Sequence, residues 1–263
     1  MSHTCERLTL NGKATDKNLD LYQEHIRRYH FCLPFIKNKK VLDIACGIGY
    51  GAKLMADNQA LEVFAGDVSS SAISIARKKY VANNLHFQQM DALAIPFSNN
   101  YFDTIVSLET IEHIGRYERF MSEISRCLKF GGTLVLSTPN RKSVKRLDVS
   151  NQFHIKEFTQ DELLELLDVY FKNIELFGQR KLSRPDKLQK LFKKLHFIIN
   201  GIPFLGVLRD NLPYSLRHKI GQNIDGLDDD FSIRKIEDHQ DFLYFIAVAR
   251  KSLHASTLAE NFA

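Results

Sequence analysis

Apolar residues follow two alternating patterns along this chain. Short runs rich in β-branched and aromatic residues alternate with stretches whose apolar positions recur at helical spacing. Val41–Cys46 (VLDIAC) is an almost continuous apolar run, the signature of a strand buried on both faces. Leu61–Gly66, Leu85–Gln89, Phe102–Leu108 and Thr133–Ser137 repeat the theme, and Asn173–Gln179 and Phe242–Arg250 complete seven expected strands. Helical patterns lie between most of them. Ser69–Val81 opens on serines suited to an N-cap and carries Ala72, Ile73, Ile75 and Ala76. Arg116–Phe130 gathers Phe120, Ile124, Cys127 and Leu128 on one face, with Gly131-Gly132 as its expected stop. Asp161–Tyr170 is leucine-rich behind the cap candidate Thr159. This alternation predicts an α/β domain with a mostly parallel sheet and helices on both faces. Right-handed crossovers then align the loops after the strands along one edge, where such sheets bind ligands.

One stretch breaks the rhythm. Residues 181–240 are too long for a plain connection and are expected to form an inserted lid within a single domain spanning 1–263. From Lys181 to Gly221 there are nine Lys/Arg against Asp186 and Asp210, a surplus of seven where the whole chain carries only +5. Pro185–Asn200 reads as a basic amphipathic helix, with Leu188, Leu191, Phe192, Leu195 and Ile199 at helical spacing. Three readings stand: a lid packed on the domain, a peripheral contact with the anionic inner face of a membrane, or an oligomer interface.

Length and composition narrow the class. The 263 residues are enough to bury a core without cross-links, and 44% apolar with 25% charged residues is ordinary for a globular chain. No run of roughly 18 apolar residues predicts a membrane span. Met1 to Lys17 is polar and lacks the apolar core of an export signal. Cys5, Cys32, Cys46 and Cys127 are scattered without a CxxC pair, so they read as reduced thiols. A cytoplasmic location is the expectation. The absence of tryptophan and the modest aromatic content offer no base-stacking platform, which argues against a nucleic-acid partner.

The strongest chemical signal is Asp43-Ile-Ala-Cys-Gly47-Ile-Gly49-Tyr-Gly51, directly after the first expected strand. Glycines allow a tight turn and a close approach of ligand to backbone. The spacing G-x-G-x-G departs from the dinucleotide fingerprint G-x-G-x-x-G, and an acid at Asp43 would repel a pyrophosphate. That acid suits the ammonium end of an amino acid instead.

With these residues in view, the sequence resembles a class I S-adenosylmethionine-dependent methyltransferase of the type 11 group, on a Rossmann-like fold. Asp67-Val68 closes the second strand, Asp91-Ala92 follows the third, Leu108-Glu109 ends the fourth, and Gly131 to Asn140 matches the fifth-strand region. The resemblance implies that Asp67 takes the ribose hydroxyls, that Asp91 accepts from the adenine amino group, and that Val68, Ala92, Leu108 and Glu109 line the cofactor. It also implies an antiparallel last strand inserted between the fifth and sixth. Tyr22 to Phe31 resembles the helix before the first strand in methyltransferases of polysaccharide and glycolipid pathways. There Arg28 would pair with the cofactor carboxylate and Tyr29 would close over the site; plain packing of this helix on the sheet is the competing reading.

The acceptor is less defined. Methyl transfer is a direct displacement, and a hydroxyl acceptor must also lose its proton to a base or a metal-assisted path. Glu109, Glu112 and His113 at i, i+3 and i+4 are expected to converge on one helical face, with His154 and Glu157 in a second stretch. By resemblance to metal-assisted O-methyltransferases of quinone precursors and of RNA 2′-hydroxyls, Glu109, Glu112, His113 and His154 would hold Mg²⁺ or Mn²⁺. Alternatively His113 or His154 is a direct base, or these residues only position the acceptor. The overall match is nearest to O-methyltransferases acting on sugars or lipid-linked sugars. N- or C-methylation, and a non-catalytic adaptor on the same fold, are the other readings.

Overall fold

The computed structural model describes residues 16–147, 151–182, 231–237 and 241–252. Most of the expected lid, including the basic 183–221 stretch, lies outside the described residues.

The apolar runs form the centre of one eight-stranded sheet, in the order β3-β2-β1-β4-β5-β8-β6-β7. Its strands are β1 (Lys40–Ile44), β2 (Glu62–Asp67), β3 (Leu85–Gln89), β4 (Phe102–Leu108), β5 (Leu128–Pro139), β6 (Lys172–Leu182), β7 (Ile233–Lys235) and β8 (Asp241–Arg250). The first five are parallel to one another, and β8 runs antiparallel between β5 and β6. The inserted antiparallel strand implied by the resemblance is therefore present.

Alternation along each strand sorts side chains to two faces. Val41, Val63, Val106 and Val135 pack under α1 (Asp16–Ile36), α2 (Tyr50–Asp57) and α3 (Ser70–Lys79). Leu42, Ile105, Leu134 and Leu136 pack under α4 (Tyr117–Cys127) and α6 (Gln160–Tyr170). A short α5 (Arg141–Leu147) covers the end of β8. The caps follow from sequence: Ser69 Oγ accepts from Ala72 N, and Thr159 with Glu162 forms a reciprocal capping box. No helix among the described residues is long and apolar enough to cross a membrane.

Three expectations are corrected. The sheet has eight strands, not seven, because β7 forms inside the stretch expected to be lid and pairs with β6. Helix α4 ends at Cys127, and β5 begins at the next residue rather than at Thr133. Gly131-Gly132 is thus not a helix stop but part of a bulge: Phe102 faces Leu128, while Thr104 already faces Thr133. Gly131 takes φ 75 there, and a Cβ on Gly132 would meet the Lys129 and Asp103 carbonyls.

The close approach of β6 to β8 rests on Gly178, where any Cβ would overlap the buried Phe242 ring. Gly178→Ala is expected to cost about 1–3 kcal/mol by overpacking, read as a lowered urea midpoint with unchanged slope. An unchanged midpoint would contradict this packing.

Candidate functional site

The chain leaves β1 through a left-handed turn. Ala45, Gly47 and Gly49 all have positive φ (61, 56 and 84), and Gly49 stands at the start of α2. The turn brings the ends of β1 and β2 together: Cys46 N donates to Gly66 O at 2.9 Å and Gly47 N to Asp67 Oδ2 at 3.0 Å. The other Asp67 oxygen accepts from Ser69 N at 2.9 Å. Room is needed on both sides of the turn. A Cβ on Gly49 would run into the Phe87 ring and Ala76, and one on Gly51 would overlap the Tyr29 ring.

The remaining expected residues fall along the same edge. Tyr29 and Asp43 are buried, and the Tyr29 hydroxyl donates to the Asp43 carboxylate at 3.3 Å. Burial pushes the Asp43 carboxyl up to about 8, against a smaller lowering by that hydrogen bond. Asp91 is exposed at the end of β3 and orders its own turn by accepting from Leu93 N at 2.8 Å. Val68 beside Asp67 is exposed, whereas Ala92 is half-buried and Leu108 is buried.

Glu109 departs from expectation. It is not on a helical face with Glu112 and His113, because it sits in left-handed backbone (φ 50) before a single 3₁₀ turn, Ile111–His113. Its Oε1 accepts from Ser137 Oγ at 2.7 Å and lies 3.4 Å from Arg28 Nη1. The structure instead brings Glu112, His113 and His154 together, with one ligand atom of each within 4.8 Å of the others. Glu109 is not part of that group.

This second cluster is pinned from below. Ile155 N and Lys156 N both donate to the Glu112 carbonyl, at 2.7 and 3.1 Å, which fastens the 151–158 segment to the 3₁₀ turn. His113 Nδ1 lies 3.0 Å from Phe153 O, a contact that makes Nδ1 the protonated nitrogen. His154 Nδ1 lies 2.8 Å from Glu157 Oε1, and Asn151 Nδ2 donates to its Nε2 at 3.1 Å. The two rings meet edge to face at 5.0 Å. Glu112 is fully buried, with Oε2 accepting from Thr138 Oγ1 at 3.0 Å. Burial, and Glu109 nearby, push its carboxyl well above the usual range.

Arg28 is wholly buried and donates from Nε to Gln179 Oε1 at 2.7 Å, with its guanidinium 4.2 Å over the Tyr244 ring. Gln179, Arg180, Glu24 and Tyr244 join it, none of which sequence reasoning placed at the site. Only the i, i+4 spacing of Glu24 and Arg28 on a helix that must pack against the sheet could have signalled them.

Residues 42–136 match a family model described as a methyltransferase domain. A protein of Mycobacterium tuberculosis described as a "probable S-adenosylmethionine-dependent methyltransferase" is 34% identical over 178 residues, 65% of this chain and 64% of that relative. The chain thus spans just under two thirds of that relative's length. A fatty-acid O-methyltransferase of Mycolicibacterium smegmatis is 32% identical over 98 residues, 37% of this chain and 36% of its own. Among solved structures, an S-adenosylmethionine-dependent methyltransferase of Archaeoglobus fulgidus superposes with a TM-score of 0.56 at 19% identity, covering 88% of this chain and 94% of that one.

The raised Asp43 carboxyl sets a pH dependence. Between about pH 4 and pH 8 the folded protein holds a proton there that the unfolded chain has lost, so stability falls as pH rises through that window. Urea unfolding at pH 5 and pH 9 is expected to show wild type losing stability relative to Asp43→Asn at the higher pH. A constant difference between the two proteins would contradict the buried, protonated state.

Proposed function

We propose that this chain is a class I S-adenosylmethionine-dependent methyltransferase that transfers the cofactor's methyl group to an oxygen of a small-molecule, sugar or glycolipid acceptor. The reading is carried by the ordered acids at the ends of β1, β2 and β3 around a left-handed glycine turn. Asp67 accepts from Gly47 N at one oxygen and from Ser69 N at the other, which orients its carboxylate toward a ribose diol. Asp91 offers an exposed carboxylate to the adenine amino group, and Val68 and Ala92 offer apolar surface to the cofactor. An ammonium brought to Asp43 and Tyr29 favours the charged carboxylate and expels its proton. Leu108 and Glu109 line the cofactor beyond β4.

Methyl transfer forms a bond from the acceptor oxygen to the methyl carbon as the S–CH₃ bond breaks, and the hydroxyl proton must leave. His154 suits that task. Its Nδ1–H is directed at Glu157, which stabilises the imidazolium that forms, and its Nε2 takes the acceptor's proton when the acceptor hydroxyl replaces the Asn151 amide there. His113 beside it, tied through Nδ1 to Phe153 O, helps to orient the acceptor. The fatty-acid O-methyltransferase among the relatives supports an oxygen acceptor.

A second reading is favoured by one observation. Glu112, His113 and His154 are close enough to hold Mg²⁺ or Mn²⁺, and both histidines are tied through Nδ1 as metal-ligating histidines commonly are. Such an ion would supply Lewis acidity to the acceptor oxygen. Glu109, committed to Ser137 and Arg28, is left out of that ligand set.

The test follows label from methyl-tritiated S-adenosylmethionine into hydroxyl-bearing sugars and glycolipids. His154→Ala is expected to lower turnover by about 10²–10⁴-fold while S-adenosylhomocysteine still binds. Turnover that survives chelation assigns His154 as base; turnover lost on chelation and restored by Mn²⁺ assigns the metal. Undiminished turnover of both His154→Ala and His113→Ala would overturn both assignments.

A further inference from the structure

The densest unsatisfied chemistry among the described residues lies at Arg28 and Arg180, the two arginines that flank Glu24. Arg28 is fully buried and Arg180 is 7% exposed. Nη1 and Nη2 of Arg28, and Nε and Nη1 of Arg180, have no hydrogen-bond partner among the described residues. The surrounding carboxylates do not satisfy them. Arg28 Nη1 is 3.4 Å from Glu109 Oε1, Arg28 Nη2 is 4.0 Å from Glu24 Oε2, and Arg180 Nε is 3.5 Å from Glu24 Oε1. These separations give charge attraction without hydrogen-bond geometry. Burial also raises the pKa of Glu24, which weakens the nearest counter-charge.

Both guanidinium groups are nevertheless held in place. Arg28 is fixed through Nε by Gln179, whose amide nitrogen donates to Glu24 O and Phe231 O at 3.1 and 3.0 Å. The Tyr244 ring supports Arg28 at 4.2 Å, and the Phe231 ring supports Arg180 at 4.8 Å. Arg180 also keeps left-handed backbone (φ 60), which a non-glycine residue adopts only where its surroundings impose it. Buried donors without acceptors are rare and costly, and here four of them belong to two rigid, neighbouring forks. A guanidinium fork matches the two oxygens of a carboxylate.

Position separates Arg180 from the cofactor acids, whereas Arg28 precedes Tyr29 on the same helix and lies 3.4 Å from Glu109. The acids stand at the ends of β1, β2 and β3, and Arg180 is on β6, four strands from β1 in the sheet order. At about 4.8 Å per strand that is roughly 19 Å along the sheet. We propose that Arg180, with Arg28 beside it, binds a carboxylate carried by the methyl acceptor and so orients the acceptor for transfer. The inference rests on the methyltransferase reading above and names the acceptor's class.

The experiment uses the protein saturated with S-adenosylhomocysteine and follows its melting temperature as benzoate, octanoate and their neutral amides are added. Wild type is expected to be stabilised by at least one of these carboxylates and not by its amide. Arg180→Met is expected to lose that response at least tenfold while binding S-adenosylhomocysteine within twofold of wild type. If Arg180→Met does not fold, Arg180→Lys, which keeps the charge and loses the fork, takes its place with the same expectation. Equal responses to acid and amide, or an unchanged response in the variant, would overturn the proposal. A variant that loses affinity for S-adenosylhomocysteine but not for 5′-methylthioadenosine, which lacks the carboxylate, would overturn it by assigning the seat to the cofactor. Failure of wild type to bind S-adenosylhomocysteine would instead strike the methyltransferase reading.

Discussion

The hydrogen bond from Gly47 N to the Asp67 carboxylate joins the ends of β1 and β2 across a turn of three left-handed residues. Much of the site depends on that closure. It lets α2 begin within reach of the sheet edge, and it fixes Asp67 where each oxygen already has one donor. It also presses α2 against α1, a contact that exists only because Gly51 leaves space for the Tyr29 ring. Tyr29 in turn reaches Asp43 at the end of β1. One turn therefore sets Asp67, Asp43 and the helix that carries Arg28.

Beyond β4 the chemistry changes character. The edge above β1 to β3 carries the acids Asp43, Asp67 and Asp91. The edge above β5, β8 and β6 is a band of opposed charges, with Glu24, Arg28, Glu112, Arg180 and Gln179 buried and Glu109 and Tyr244 half-buried beside them. Burying charges is costly unless each is paired and hydrogen-bonded, and several of these are not. Such a band is a weak way to stabilise a fold and an effective way to prepare a polar surface for a polar acceptor. The His113–His154 pair stands next to it, joined through Glu112.

The sheet was legible because its strands are buried on both faces, so β1, β4 and β5 announce themselves as apolar runs such as VLDI and TLVLS. The caps at Ser69 and Thr159 were legible for the same local reason. The Gly131-Gly132 pair was misread because a glycine pair after a helix serves equally as a stop or as a strand bulge, and only pairing with β4 decides. β7 was invisible: three residues with one apolar side chain carry no period, and its register comes wholly from β6. At the site, acids at strand ends could be read from order alone. Glu109 could not be placed, since its left-handed backbone breaks the helical spacing that grouped it with Glu112. Gln179, Arg180 and Tyr244 were missed because they meet Arg28 only through the order in which β6 and β8 return to the sheet.

The central claim is that the turn after β1 and its acids form a cofactor site in which Asp43 receives a cation. Titration of wild type with S-adenosylmethionine at pH 7, in two buffers of different ionisation enthalpy, tests it directly. The account predicts one-to-one binding with a buffer-dependent heat equivalent to about one proton released, because the ligand's positive charge ionises a carboxyl that otherwise titrates near 8. Absence of binding would contradict the cofactor site itself, and binding with no buffer dependence would contradict the role given to Asp43.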